Sequence, residues 1–388
     1  MTRKTLVPLV FVVLLVACMA PSPAPPLPTS IVVPSPTPSL SPQSIRIALL
    51  FPTEGPVAEA GLAALQGALL AIERRNSEGG VLGLSIEAVN FNSRCTAEGG
   101  RRATSETREQ GLTLLVGGVC ASEAVAMSES MTGESVFLSL NAHPRVAVDD
   151  SGMHRQGVYV ISLPDVLQAH AMARYAREHL HAQTAATLHD ERSSLGANLT
   201  GTFSQVFLEE GGEIAQATTY SGPVTDYTAQ LGPIAAVSPD VLFLPNCAPE
   251  VNAVAAQARQ MGIDATLLGC DTWGGDLDER VVGSGYYCTA FTTLDPRVQA
   301  FVEAYRTRFD GEADVFAALG YEAARILLDA IQEAGSTQVA HVQQALLVST
   351  FQSWTGPITF DEAGQAQKSL ALIRVEDGAR RFVAYISP

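Results

Sequence analysis

A chain of 388 residues, 47% hydrophobic and 16% charged, carries enough apolar material for two ordinary cores and is globular rather than disordered. Its 24 basic residues face 40 acidic ones, a net charge of −16. That balance excludes nucleic acid as a partner and excludes charge-driven attachment to an anionic membrane.

The first 17 residues read as an export signal. Arg3 and Lys4 precede an apolar run, Leu6–Val16, that is too short to span a bilayer comfortably. The run ends in Leu15-Val16-Ala17-Cys18, which resembles a bacterial lipobox, cut before Cys18 and lipidated on its thiol. The plainer alternatives are an ordinary signal peptide with a chance cysteine, or an uncleaved anchor. A small residue and a cysteine placed where the apolar run stops favour the lipobox. Cleavage there leaves 22 basic residues against 40 acidic ones, a net of −18. Met19–Ser44 holds nine prolines and no charge, so residues 18–44 form a lipidated cysteine and a Pro-rich tether. Extended as polyproline II, it would reach up to about 80 Å.

Ile45–Asn92 reads strand, loop, helix, tight turn, strand. Leu65, Ala68, Leu69 and Ile72 fall at i, i+3, i+4, i+7 and predict one buried helix stripe. In such a unit ligands meet the loop at the strand's carboxyl end, here Phe51–Pro56, beside the helix N-terminus. A solvated helix over Glu98–Gln110, a strand at Leu112–Val116, a helix at Glu123–Met131 and a strand at Val136–Leu140 complete a β-α-β-α-β-α-β lobe. A strand-like crossing at Val158–Leu163 leads to a helix over Asp165–His181. The alternation then repeats from Ala185 to Phe291 without sequence identity to the first copy. Helices at 296–309, 315–334 and 339–347 and closing strands at 356–361, 370–375 and 381–386 finish the chain. Two lobes built this way need crossovers, which make a hinge, and a cleft between lobes is a favoured ligand site.

Enzyme signatures are missing: there is no Gly-x-Ser-x-Gly, no phosphate-cradling Gly-x-x-x-x-Gly-Lys and no His-Glu-x-x-His. Besides Cys18 there are five cysteines, Cys95, Cys120, Cys247, Cys270 and Cys288. The odd number leaves at least one unpaired or paired between molecules, and no Cys-x-x-Cys points to zinc or redox chemistry. His179 and His181, two apart on a predicted helix, point away from each other and are no metal pair. Neither a metal nor a cofactor is expected.

Pro52-Thr53-Glu54-Gly55-Pro56, Gly61, Gly67, Asn76 and Gly79-Gly80-Val81-Leu82-Gly83 resemble the opening of type I periplasmic binding proteins of the branched-chain amino-acid class. The likeness continues through Ser122, Asp165, Asp190…Gly196, Gly211-Gly212, Pro239-Asp240, Gly269-Cys270-Asp271-Thr272-Trp273, Tyr321 and Gly356…Phe360-Asp361…Gly364. It covers Ile45 to the C-terminus, and its specificity lies in the ordered set rather than in any one motif. It implies an α/β fold of two doubly wound, Rossmann-like lobes joined by a three-crossover hinge. We place one lobe at 45–161 plus 292–352 and the other at 162–291 plus 353–388.

The family consists of the receptor components of ABC importers. The resemblance therefore implies a small polar ligand, an amino acid or related compound, delivered to permease subunits by a monomer tethered outside the cytoplasm through Cys18. A surface ligand sensor with the same fold is the alternative. In the family's amino-acid binders a serine at Ser122 and main-chain amides around Asn141 and Ala142 hold the ligand carboxylate. An acidic residue at Asp271 takes the ammonium, and second-lobe aromatics cover the ligand. Each role is chemically apt, since hydroxyl and helix-terminal amides suit an anion and a desolvated carboxylate suits an ammonium. The plainer readings are a helix cap for Ser122, a loop turn for Asp271, a core aromatic for Trp273, and turn residues for Thr53 and Glu54. This chain departs from its relatives at Leu195 and Cys247, where aromatics are usual, and at Asn92, where an acid is usual. The cover over the ligand is accordingly smaller and more apolar. The resemblance also implies a Cys95–Cys120 disulfide, which would silence Cys120 as a nucleophile, and one further pair is expected among Cys247, Cys270 and Cys288.

Overall fold

The computed structural model describes residues 44–388; the signal segment, Cys18 and most of the tether lie outside them. β1 (Ile45–Phe51) is buried at six of its seven positions, as a parallel strand covered on both faces must be. It leads through α1 (Ala58–Ser77), β2 (Ile86–Asn92), α2 (Ala97–Glu109), β3 (Leu114–Gly117), α3 (Ala121–Glu129), β4 (Val136–Ser139) and the short α4 (Pro144–Ala147) to β5 (Val158–Val160). These strands form a parallel sheet in the order β2-β1-β3-β4-β5.

After α5 (Val166–Glu178) the same construction repeats. β6 (Thr184–Asp190), α6 (Ser194–Glu209), β7 (Glu213–Tyr220), α7 (Thr228–Val237), β8 (Val241–Phe243), α8 (Ala248–Gln260), β9 (Thr266–Gly269), α9 (Glu279–Val282) and β10 (Ser284–Thr289) follow in turn. The parallel order is β7-β6-β8-β9-β10. Strand for strand it repeats the first sheet's order, so both lobes are doubly wound with their switch points beside β1 and β6.

The chain then returns to the first core with α10 (Gln299–Phe309), α11 (Val315–Ala334) and α12 (Val339–Val348). A small sheet of β11 (Phe351–Ser353), β12 (Gly356–Phe360) and β13 (Ala366–Gln367) follows. Finally β14 (Leu370–Glu376) and β15 (Ala379–Ile386) add antiparallel to the β10 edge. The chain thus passes between the sheets three times, after β5, after β10 and before β14.

One expected boundary moves. Phe351, Ile358, Phe360 and Ala366 pack in the first core with α1, α11 and α12, whereas Leu370 and Leu372 pack in the second. The last passage therefore falls near Lys368 rather than at 352/353.

The buried face of α1 is wider than its predicted stripe because it packs on the sheet and on α11 at once. Gly61, Ala64, Gly67 and Ala71 are buried along with Leu65, Ala68 and Ile72, while Leu69 is only half-buried. Two glycines make the helix pair possible. A Cβ on Gly67 would lie 1.9 Å from the Ala317 carbonyl oxygen, and one on Gly320 would lie 2.0 Å from that of Ala64. The helices touch backbone to backbone, and neither position admits alanine without parting them.

Candidate functional site

In open parallel sheets ligands bind outside the carboxyl ends of the strands at the switch point. All nine expected ligand residues lie in the loops that leave those ends or in the first helical turns those loops open: after β1, β3 and β4 in the first lobe, and after β6, β8 and β9 in the second.

The first mouth is braced by backbone and one buried acid. Cys95 and Cys120 are joined in a disulfide with Cα atoms 5.3 Å apart. Beneath it Glu123, fully buried, accepts from the amides of Cys95 at 2.8 Å, Val119 at 2.8 Å and Cys120 at 3.1 Å. One carboxylate thus ties both cysteine segments to the start of α3. The N-cap of α3 is Cys120, not Ser122. Ser122 sits exposed in the first turn, its Oγ donating to the Cys95 carbonyl at 3.1 Å, beside amides that have no intrahelical acceptor. Asn141 donates through Nδ2 to the Val119 carbonyl at 2.9 Å, which pins the loop after β4 to the loop after β3; Ala142 is half-buried against the core. The Thr53 amide donates to Asn92 Oδ1 at 3.2 Å, so Asn92 shapes the first loop. Glu54 is an exposed rim residue 3.9 Å from Arg94.

The second mouth is acidic. Asp271 opens a short 3-10 turn after β9. Gln168 grips it twice, donating from Nε2 to Asp271 Oδ2 at 2.8 Å and accepting the Asp271 amide on Oε1 at 2.8 Å. Burial by surrounding protein pushes the Asp271 carboxyl up, and the neighbouring Asp165 carboxylate adds to the rise. Asp165, at the entry of α5, is pushed up by burial as well. Both side chains nevertheless keep accessible surface. Each carboxyl thus has water on one side and protein on the others. Asp190, by contrast, is held at about 2 by its hydrogen bonds to Arg192 and is already neutralised.

Leu195 stands 40% exposed in the first turn of α6, which Ser193 caps through Gly196 at 2.9 Å. Cys247 is an exposed free thiol at the N-cap of α8.

Two expectations are corrected. Trp273 does not face a ligand: it is fully buried, its Nε1 donates to the Leu244 carbonyl at 2.8 Å, and its ring fills the space over Gly269. The expected second disulfide is not formed, since Cys247, Cys270 and Cys288 are all free. Cys270, just past β9, and Cys288 on β10 are both buried, the Cys288 thiol donating to the Gln168 carbonyl at 3.4 Å. That bond orients the residue that grips Asp271. Among the described residues no cluster of His, Cys, Asp and Glu is arranged to hold a metal.

Gln168 escaped the sequence reading of the site. Its only signal there is a polar residue at a buried position of a helix whose neighbours Ala169, Ala171 and Met172 are core.

A chain of two 2-1-3-4-5 lobes with one donor-rich and one acidic mouth is a two-lobed binding protein. Residues 44–380 match the family described as periplasmic binding protein, and the chain belongs to that family. Its members of the branched-chain amino-acid class are solute-binding components of ABC transporters, not enzymes. The leucine-, isoleucine-, valine-, threonine- and alanine-binding protein of Pseudomonas aeruginosa is 26% identical over 332 residues, 84% of this chain and 88% of that one. A leucine-binding protein from Thermotoga maritima is 25% identical with a TM-score of 0.62, covering 89% of this chain and 99% of that one. A branched-chain amino-acid transporter protein from Rhodospirillum rubrum is 20% identical with a TM-score of 0.78, covering 88% and 100%; at that identity it speaks to the fold alone.

Proposed function

We propose that this chain captures a small zwitterion, an amino acid or a close relative, between its two mouths and hands it to an ABC permease. The observation that carries the reading is Asp271, a carboxyl open to water, gripped at both ends by Gln168 and, among the described residues, without a cation partner. Such a group is completed by a ligand ammonium. Ser122 and the first-turn amides of α3 supply the complementary end for a carboxylate.

The names of the relatives from Pseudomonas and Thermotoga support aliphatic amino acids as the first compounds to try. Leu195 and Cys247 replace larger covers and leave room for a different side chain. The lipobox-like end at Cys18 and the Pro-rich stretch after it support a lipid anchor from which the protein reaches outward from the membrane.

Calorimetry with a panel of amino acids, amides and aromatic acids tests the reading. Once a ligand is found, Asp271→Ala and Ser122→Ala should each weaken it, and unchanged affinity in both would falsify the assignment. Lipid labelling that is equal in the wild type and in Cys18→Ser would remove the anchor.

A further inference from the structure

A recess of about 470 Å³ lies on the first lobe, against the second half of α1, the start of α10 and the middle of α11. Arg74 and Arg75 line it. They stand 16 and 17 residues beyond the first residue of α1, so at 1.5 Å per residue they are about 24 Å from the loop after β1. The recess is therefore separate from the proposed ligand cleft.

Its chemistry is unlike the rest of the surface. In a chain of net charge −16, Arg74, Arg75, Arg297 and Arg325 converge over an aromatic floor of Tyr321 and Trp354. The two rings stack with centroids 5.6 Å apart and planes 29° from parallel. Three of the guanidiniums are already held, Arg74 by Glu78 at 3.1 Å, Arg75 by Asp329 and Arg297 by Asp295 at 3.0 Å.

Arg325 differs. Among the described residues it forms no ion pair; it donates to the Gln352 carbonyl, and its Nε is shut off from water without an acceptor. Its charge is thus neither neutralised by protein nor fully hydrated, which is the condition under which a guanidinium gains most from an incoming anion.

We propose that this recess is a second binding site, for a small planar aromatic carboxylate. Its carboxylate pairs with the Arg325 guanidinium, whose fork matches a carboxylate's geometry, and its ring lies on Trp354. The bracing carboxylates of the other three arginines keep the site from being a general sink for anions, so the stacking partner sets the selection.

Trp354 makes the test direct, because the other tryptophan, Trp273, is sealed in the second core. Sodium benzoate is titrated against tryptophan emission, with benzamide as the neutral isostere. The expected result is a saturable change with benzoate, absent with benzamide and weakened at least about tenfold in Arg325→Met. Two results overturn the proposal: no saturable change at about 10 mM benzoate, or an Arg325→Met curve equal to wild type. Should Arg325→Met fail to fold, Trp354→Leu followed by calorimetry decides, since wild-type affinity there is incompatible with the stacked pose.

Discussion

α3 and α8 occupy equivalent places in the two lobes, each opening after the third parallel strand of a 2-1-3-4-5 sheet, and each has a cysteine at its N-cap. Cys120 is locked to Cys95 and underpinned by buried Glu123, whereas Cys247 is free and exposed. The first mouth is thereby fixed in shape and presents amides and a hydroxyl. The second spends no covalent bond on shape and concentrates un-neutralised carboxyls, Asp271 and Asp165. The same winding has been given opposite polarity at its two ends, which is what a ligand with one negative and one positive group requires. The rigid partner offers fixed dipoles, and the acidic partner offers charge that is costly until it is matched.

The last passage between the lobes carries a buried ion pair. Lys368, the sole lysine among the described residues, sits immediately after β13 and pairs with Glu322 of α11 at 2.7 Å, both side chains almost fully buried. Ser353 also donates to Glu322. Lys368→Met strands a buried carboxylate and should cost about 3–5 kcal/mol in urea unfolding, the largest effect expected here. Adding Glu322→Gln should restore much of it, because the desolvated charge is then gone. A loss below about 1 kcal/mol for Lys368→Met would mean the pair is wetter than its burial implies.

The next test equalises the two α-helix entries. Cys95→Ser with Cys120→Ser opens a loop closed over 25 residues, which should lower stability by about 3.5 kcal/mol in the loop-entropy account. Hydrogen exchange should rise around α3 and leave α8 as it was. If α3 stays as protected as in the wild type, Glu123 alone fixes the first mouth and the disulfide is incidental to it.

Asp271→Asn removes the charge of the second mouth and should weaken a zwitterionic ligand roughly 30- to 100-fold, read by calorimetry. It also carries a pH signature. The folded-state pKa of Asp271 lies above its ordinary 3.8, so folding favours the protonated form. Its contribution to stability is full below 3.8 and is lost as pH rises through the raised value. Ligand binding has the opposite preference, for the ionised carboxylate, so affinity should fall as pH drops through that window. Asp271→Asn should flatten both slopes; slopes that persist unchanged would assign them to another group.

The polarity of the second mouth was only partly legible in the sequence. Lobe winding is legible because strand runs such as Ile45–Phe51 and helix periods such as that of α1 are local patterns, and so is the place of Asp271 just past a strand end; its role came from the resemblance alone. Gln168 is not legible, because its role is a contact with a residue 103 positions away. Trp273 misled for a related reason. Two residues past Asp271 this aromatic turns inward, its ring in the hollow that Gly269 leaves, a fact of packing rather than of pattern. The last passage between lobes was misplaced because β11–β13 alternate like ordinary closing strands, and only their neighbours reveal which core they serve.

Glu54 gives the smallest expected effect and the sharpest boundary to the first mouth. It stands exposed on the loop after β1, 3.9 Å from an equally exposed Arg94, a pair that water and salt screen. If the first mouth acts through its amides and Ser122, Glu54→Gln should change stability by no more than about 0.5 kcal/mol and ligand affinity by less than about twofold. A tenfold loss of affinity would bring Glu54 into the ligand's first contacts. The first mouth would then carry a carboxylate of its own, and the division into a donor-rich and an acidic end would have to be redrawn.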